Sequence, residues 1–111
     1  MDAYHGNFYI DKKFIKVMRV VKKRPHIFME NPSPSNIRVF ISGYASAYLF
    51  EDEIESQFFG GEAIFFDWMV EEMGRRTSPR KGWDKILSEE SGSDQAGFDL
   101  FFKYLGIFIQ E

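Results

Sequence analysis

A chain of 111 residues that is 44% hydrophobic, 18% aromatic and 28% charged has the length of one domain and the apolar content to fill a core, which excludes a disordered polypeptide. It contains no cysteine, which excludes a disulfide framework and a thiolate zinc site. The net charge of −3 hides a division: Met1 to Arg38 has 8 basic and 3 acidic residues, Val39 to Gly74 has 8 acidic and none basic, and Arg75 to Glu111 has 6 of each.

The first periodic run is FYIDKKFIKVMRVVKK, where Phe14, Val17, Met18 and Val21 fall on one helical face and Lys12, Lys16, Arg19 and Lys23 fall outside it. Asn7 or Asp11 can cap its start. Pro25 disfavours helical geometry at Arg24, so this helix is predicted to end near Lys23. HIFMENPSPSN then reads as a connector, with Ser33 as a helix cap and Pro34 as the first helical residue. In the helix that follows, Ile37, Phe40, Ile41, Tyr44 and Tyr48 form an apolar stripe, and Gly43, Ala45 and Ala47 are small enough to let a neighbour approach closely.

The acidic turn EDEIES leads to a glycine-broken loop over Gln57 to Gly61. Next comes the helical run EAIFFDWMVEEMG, with Gly74 as its terminator. Arg75 to Gly82 is a basic loop with Pro79 near its middle. Trp83, Ile86 and Leu87 define a short helix, and SEESGS separates it from a last helix capped by Ser93 or Asp94. Phe98, Phe101, Phe102, Leu105, Phe108 and Ile109 share one face of that helix. Leu100, Tyr104 and Ile107 add apolar surface beside it, which predicts a helix covered on more than one side. The stretch from Gly82 to Phe102 is thus a helix corner. The expected fold is a compact all-α bundle of about five helices in a single domain spanning residues 1–111. The alternative is an α+β fold with a short hairpin, since IRVFIS and FYI are rich in strand-forming residues.

Lysines and arginines interrupt every apolar run near the start of the chain, so neither a signal peptide nor a membrane span of roughly 20 apolar residues is expected; the predicted location is the cytoplasm. The two histidines, His5 and His26, have no nucleophile motif beside them, and Ser33, Ser35 and Ser42 fit caps and turns better than catalysis. The adjacent pairs Glu71–Glu72 and Glu89–Glu90 point about 100° apart on a helix, so neither is a preset acid/base couple. Glu51, Asp52 and Glu55 lack the turn glycine of a calcium loop. No phosphate-binding glycine loop occurs. No catalytic residue, metal or cofactor is therefore expected.

Two blocks carry a resemblance. KRPHIFMENPSPSNIRVFISGYASA, together with FFDWMVEE and GWDKILSEESGSDQAGFDLFFKYLGIF, resembles small bacterial immunity-type proteins that accompany polymorphic or contact-dependent growth inhibition toxins. The likeness runs from about Lys23 to Phe108, and Phe28 stands where that pattern often has tyrosine. It implies a non-enzymatic protein that neutralises a cognate toxin by stoichiometric binding, with Arg24, Pro25, Ser33, Gly43, Tyr44, Trp83, Asp94 and Phe102 as fold residues. Charge, not the resemblance, places the binding surface. A nuclease toxin carries a cationic phosphate site, which points to Glu51, Asp52, Glu53, Glu55, Glu71 and Glu72, with Phe58 and Phe59 as aromatic anchors. The alternative function is a helical nucleic-acid-associated or regulatory module using Lys12, Lys16, Arg19 and Lys23, although no motif of sequence-specific nucleic-acid binding is present.

Overall fold

The computed structural model describes residues 12–48 and 65–110. The protein is an all-α bundle: α1 (Lys12–Lys23), α2 (Pro25–Phe28), α3 (Pro34–Tyr48), α4 (residues 65–72), α5 (Trp83–Ser91) and α6 (Asp94–Phe108). No strand occurs among the described residues, so IRVFIS belongs to a helix; FYI and the caps Asn7 and Asp11 lie outside them. The count exceeds the expected five because Pro25 does more than end α1. It also begins a single turn of its own, inside the segment read as a plain connector.

The local signals act where their chemistry requires. Arg24, with φ −136° and ψ 63°, leaves helical geometry ahead of Pro25, and its amide still closes α1 by donating to the Val20 carbonyl at 2.8 Å. The Ser33 hydroxyl accepts from the Asn36 amide at 3.1 Å, and Pro34 supplies a first residue that needs no amide partner. Gly74 adopts φ +71°, the left-handed conformation that ends α4; its amide donates to Glu71 and that of Arg75 to Val70. Ser78 and Lys81 exchange backbone hydrogen bonds across a tight turn in which Pro79 presets φ.

α5 and α6 form the predicted corner. Gly92 (φ +88°) reverses the chain, and the Ser93 hydroxyl caps α6 by accepting from the Ala96 amide at 3.1 Å. Asp94, the other candidate cap, instead accepts from the Asn31 side chain at 3.0 Å. Trp83 is buried, 5.4 Å from the Phe101 ring centroid, as the apolar spacing predicts. Its closest ring is one that the spacing did not indicate: Phe66 of α4 stacks on it at 5.0 Å.

The core is mostly aromatic on the α4–α6 side. Phe65 is fully buried and lies against Phe101 at 5.7 Å and Phe108 at 5.2 Å, while Trp68 meets Phe108 at 5.1 Å and the Tyr104 ring edge-on at 5.9 Å. On the other side α1 presents Phe14, Met18 and Val21, all fully buried, with Phe14 6.1 Å from Tyr44 of α3. Such burial contributes roughly 1.5–3 kcal/mol for each large apolar side chain, set against the entropy of ordering it. On α6, Leu100 and Tyr104 are half-buried, but Ile107 is 48% exposed, so this helix is open along one edge.

Small residues mark close approach at different positions from those expected. Among the described residues a Cβ on Gly43 would meet nothing within 4 Å, and Ala47 is exposed; only Ala45 of that trio is buried. The tight contact lies between the first turns of α3 and α6, where a Cβ on Gly97 would stand 2.5 Å from Pro34 Cγ. A second polar contact ties α3 to α5. Asp84 is buried, and its carboxylate accepts from Arg38 at 2.8 Å and from the Ser35 hydroxyl at 3.3 Å. Its place in the first turn of α5 adds a favourable interaction with the helix dipole.

Candidate functional site

Glu51, Asp52, Glu53, Glu55, Phe58 and Phe59 lie outside the described residues. Glu71 and Glu72 lie within them, on α4. That helix turns Phe65, Met69 and Val70 inward, which leaves Asp67, Glu71 and Glu72 in solvent. Phe65 is buried, and Phe66 is half-buried against Trp83.

The acids around α4 fall into two groups. Those at the C-terminal end of α5 are neutralised. Arg75 reaches Glu89 at 2.7 Å through one nitrogen and Glu90 at 2.8 Å through the other, and Lys81 reaches Glu89 at 2.7 Å. Hydrogen bonds from Arg75 and then Lys81 hold the Glu89 carboxyl below the usual glutamate range. The same contacts to Glu89 and Glu90 raise the Arg75 guanidinium. Cations here also offset the unfavourable placing of carboxylates at a helix C-terminus.

The acids of α4 are not treated that way. Asp67, Glu71 and Glu72 form no ion pair among the described residues, and Asp67 and Glu71 make one wall of a groove of about 350 Å³. Val70, Arg75, Arg76 and Thr77 complete it, so two arginines share the groove with these acids although neither is ion-paired to them. The field of this face reaches the next helix. Burial raises the Tyr104 hydroxyl above the usual tyrosine range, and the charges of Glu72 and Glu90 raise it further. Glu72 of α4 and Glu90 of α5 thus act on one phenol.

The chain matches no protein-family model, no curated protein and no solved structure. What can be read of a site therefore comes from its residues.

The other candidate face is on α1. Lys12, Lys16, Arg19 and Lys23 are all exposed, as their spacing opposite Phe14, Met18 and Val21 requires. Sequence spacing did not reveal that apolar residues accompany them. Val20 is 47% and Ile27 66% exposed, and with Arg19, Lys23 and Arg24 they line a groove of about 410 Å³. The Arg24 side chain is exposed, and so is Gly43. Ser33, Trp83 and Phe102 are buried as fold residues should be.

His26 is exposed on α2, Ser33 is committed to its cap, and Ser35 to Asp84. Among the described residues no three His, Asp or Glu side chains gather as metal ligands, and no helix is long and apolar enough to cross a membrane.

Proposed function

We propose that this chain is an immunity-type protein that binds a cognate bacterial toxin, a nuclease, in a stoichiometric complex and neutralises it. The observation that carries the reading is the contrast on one surface: Glu89 and Glu90 of α5 have cationic partners within the chain, whereas Asp67, Glu71 and Glu72 of α4 form no ion pair among the described residues. Unpaired like charges repel one another, and a cationic partner relieves that repulsion while gaining speed of encounter. A toxin whose active site holds phosphates with lysine and arginine supplies such a partner, and the resemblance of the Lys23 to Phe108 segment points to the same class.

The test is charge reversal in cells. The partner to use is a toxin domain encoded next to this chain, co-produced with it. Wild-type protein should protect the cells and elute with the toxin as one complex. Glu71→Lys with Glu72→Lys should keep the helical circular-dichroism spectrum, because exposed charges contribute little to stability. It should slow association at low salt by tenfold or more and weaken protection. Full protection by this variant at normal protein level would remove the α4 face from consideration.

A further inference from the structure

The groove between the C-terminal half of α1 and α2 has no role in the acidic-face reading, and the bundle does not account for it. α1 meets the core through Phe14, Met18 and Val21, so its neighbour Val20 lies off that stripe. α2 buries none of its residues, yet it is held in place by backbone bonds: the Ile27 amide donates to Arg24 at 3.2 Å and the Met29 amide to Pro25 at 2.9 Å. Met29, just beyond it, is buried and anchors the turn. A fixed turn thus presents Ile27 to solvent at 66% exposure, where it contributes nothing to the core.

From this we infer that the groove is a docking site for an acidic amphipathic helix of a protein partner, which lays apolar side chains on Val20 and Ile27 and sets carboxylates against Lys23 and Arg24. Charge complementarity identifies the occupant. Between Lys12 and Phe28 the chain has seven cations and no acid, and Lys23 and Arg24 at the groove are exposed and form no ion pair among the described residues. Arginine matches carboxylates in a two-pronged geometry, and both long side chains add aliphatic stems to an apolar floor. A groove of about 410 Å³ lies at the small end of ligand pockets, which run about 300–1,000 Å³, and suits a few side chains of a docked segment. Helix-in-groove recognition uses this combination of apolar anchors and a charged rim. Single-stranded nucleic acid is the less suitable occupant, because its bases stack on aromatic rings, whereas the apolar residues lining the groove, Val20 and Ile27, are aliphatic and the nearby Phe28 ring packs edge-on against Phe40 at 5.3 Å. A membrane surface is also less suitable, since the apolar stripe of α1 faces inward.

The experiment uses the isotopically labelled full chain and a synthetic 16-residue peptide with leucine at helical spacing and glutamate elsewhere. Amide shifts should concentrate on α1 and α2, with micromolar affinity. Ile27→Asp should weaken binding at least tenfold, and Lys23→Glu with Arg24→Glu at least as much. All three positions are exposed, so the fold should survive, as the unperturbed amides of α5 and α6 would report. Replacing the peptide's leucines by serine, or its glutamates by glutamine, should each lower affinity tenfold or more. Peptide binding that is absent, or that is indifferent to Ile27→Asp or to loss of the leucines, would overturn the inference. An oligonucleotide of equal charge that binds more tightly than the peptide would overturn it in favour of nucleic acid.

Discussion

The contact between Gly97 and Pro34 sets two general effects against each other. Glycine inside a helix costs about 1 kcal/mol relative to alanine, so Gly97→Ala should stabilise α6 if only propensity mattered. The added Cβ would stand 2.5 Å from Pro34 Cγ and 3.0 Å from Cδ, where ordinary contact begins at 3.4 Å, so one helix must retreat by about 0.9 Å. The Ser91 hydroxyl, 3.1 Å from the same point, can rotate away; a proline ring built into the first turn of α3 cannot. Overpacking costs about 1–3 kcal/mol, and a rigid neighbour puts this site in the upper part of that range. Subtracting the propensity gain leaves a net loss of about 1–2 kcal/mol, or about 4–8 °C in Tm for a chain of this size. Gly106 is the internal control. It lies on the same helix with nothing among the described residues within 4 Å of its Cβ position, so Gly106→Ala should raise stability by up to about 1 kcal/mol. Thermal and urea unfolding followed by circular dichroism measure both. A Gly97→Ala protein as stable as wild type, or more so, would refute the assignment of this contact as the tight point of the bundle.

Trp83→Ala removes a ring packed on Phe66 and Phe101 and should cost roughly 3–5 kcal/mol; urea unfolding with an unchanged midpoint would show that the ring is not part of the core. The Glu89 carboxyl is held low, so its contribution is present above the ordinary glutamate pKa and is lost as pH falls through the folded value. Arg75→Gln should therefore flatten the acid side of the stability profile, an effect that salt diminishes. The Tyr104 hydroxyl is raised, so its contribution is complete below about pH 10 and is lost as pH rises through the folded value. In a spectrophotometric titration Tyr104 should ionise later than a free tyrosine, and Glu72→Gln should bring that transition to lower pH. An unmoved transition would separate Glu72 from this phenol.

Helix limits were legible in the sequence wherever a local chemical signal sets them: Pro25 after α1, Ser33 with Pro34 before α3, Gly74 after α4, and Ser93 before α6. The one-turn α2 was not legible, because four residues carry no periodicity. Which glycine meets a neighbour depends on the partner helix, so Gly43 and Gly97 look alike until α3 and α6 are placed together. Nothing in the local sequence marks Asp84, since its partners Ser35 and Arg38 are more than forty residues away. At the surface, the inward stripe of α4 correctly left Glu71 and Glu72 exposed. Val20 falls off the Phe14, Met18 and Val21 stripe, but that it shares a groove with Ile27 depends on where α2 lies.

The buried carboxylate of Asp84 has a consequence for how the bundle selects one arrangement. A core rich in phenylalanine is tolerant of sliding, because one ring can replace another at modest cost. Ser35 and Arg38 stand three residues apart on α3 and so face α5 together, each taking one oxygen of Asp84. If α3 slipped by a single turn, about 5.4 Å, at most one of the two donors would still stand opposite Asp84, and the buried carboxylate would lose part of its hydrogen bonding. Apolar contacts carry no such directional requirement. One acid therefore acts as a registration pin between two helices, giving a greasy, ring-filled interior a unique alignment that its apolar residues alone do not impose.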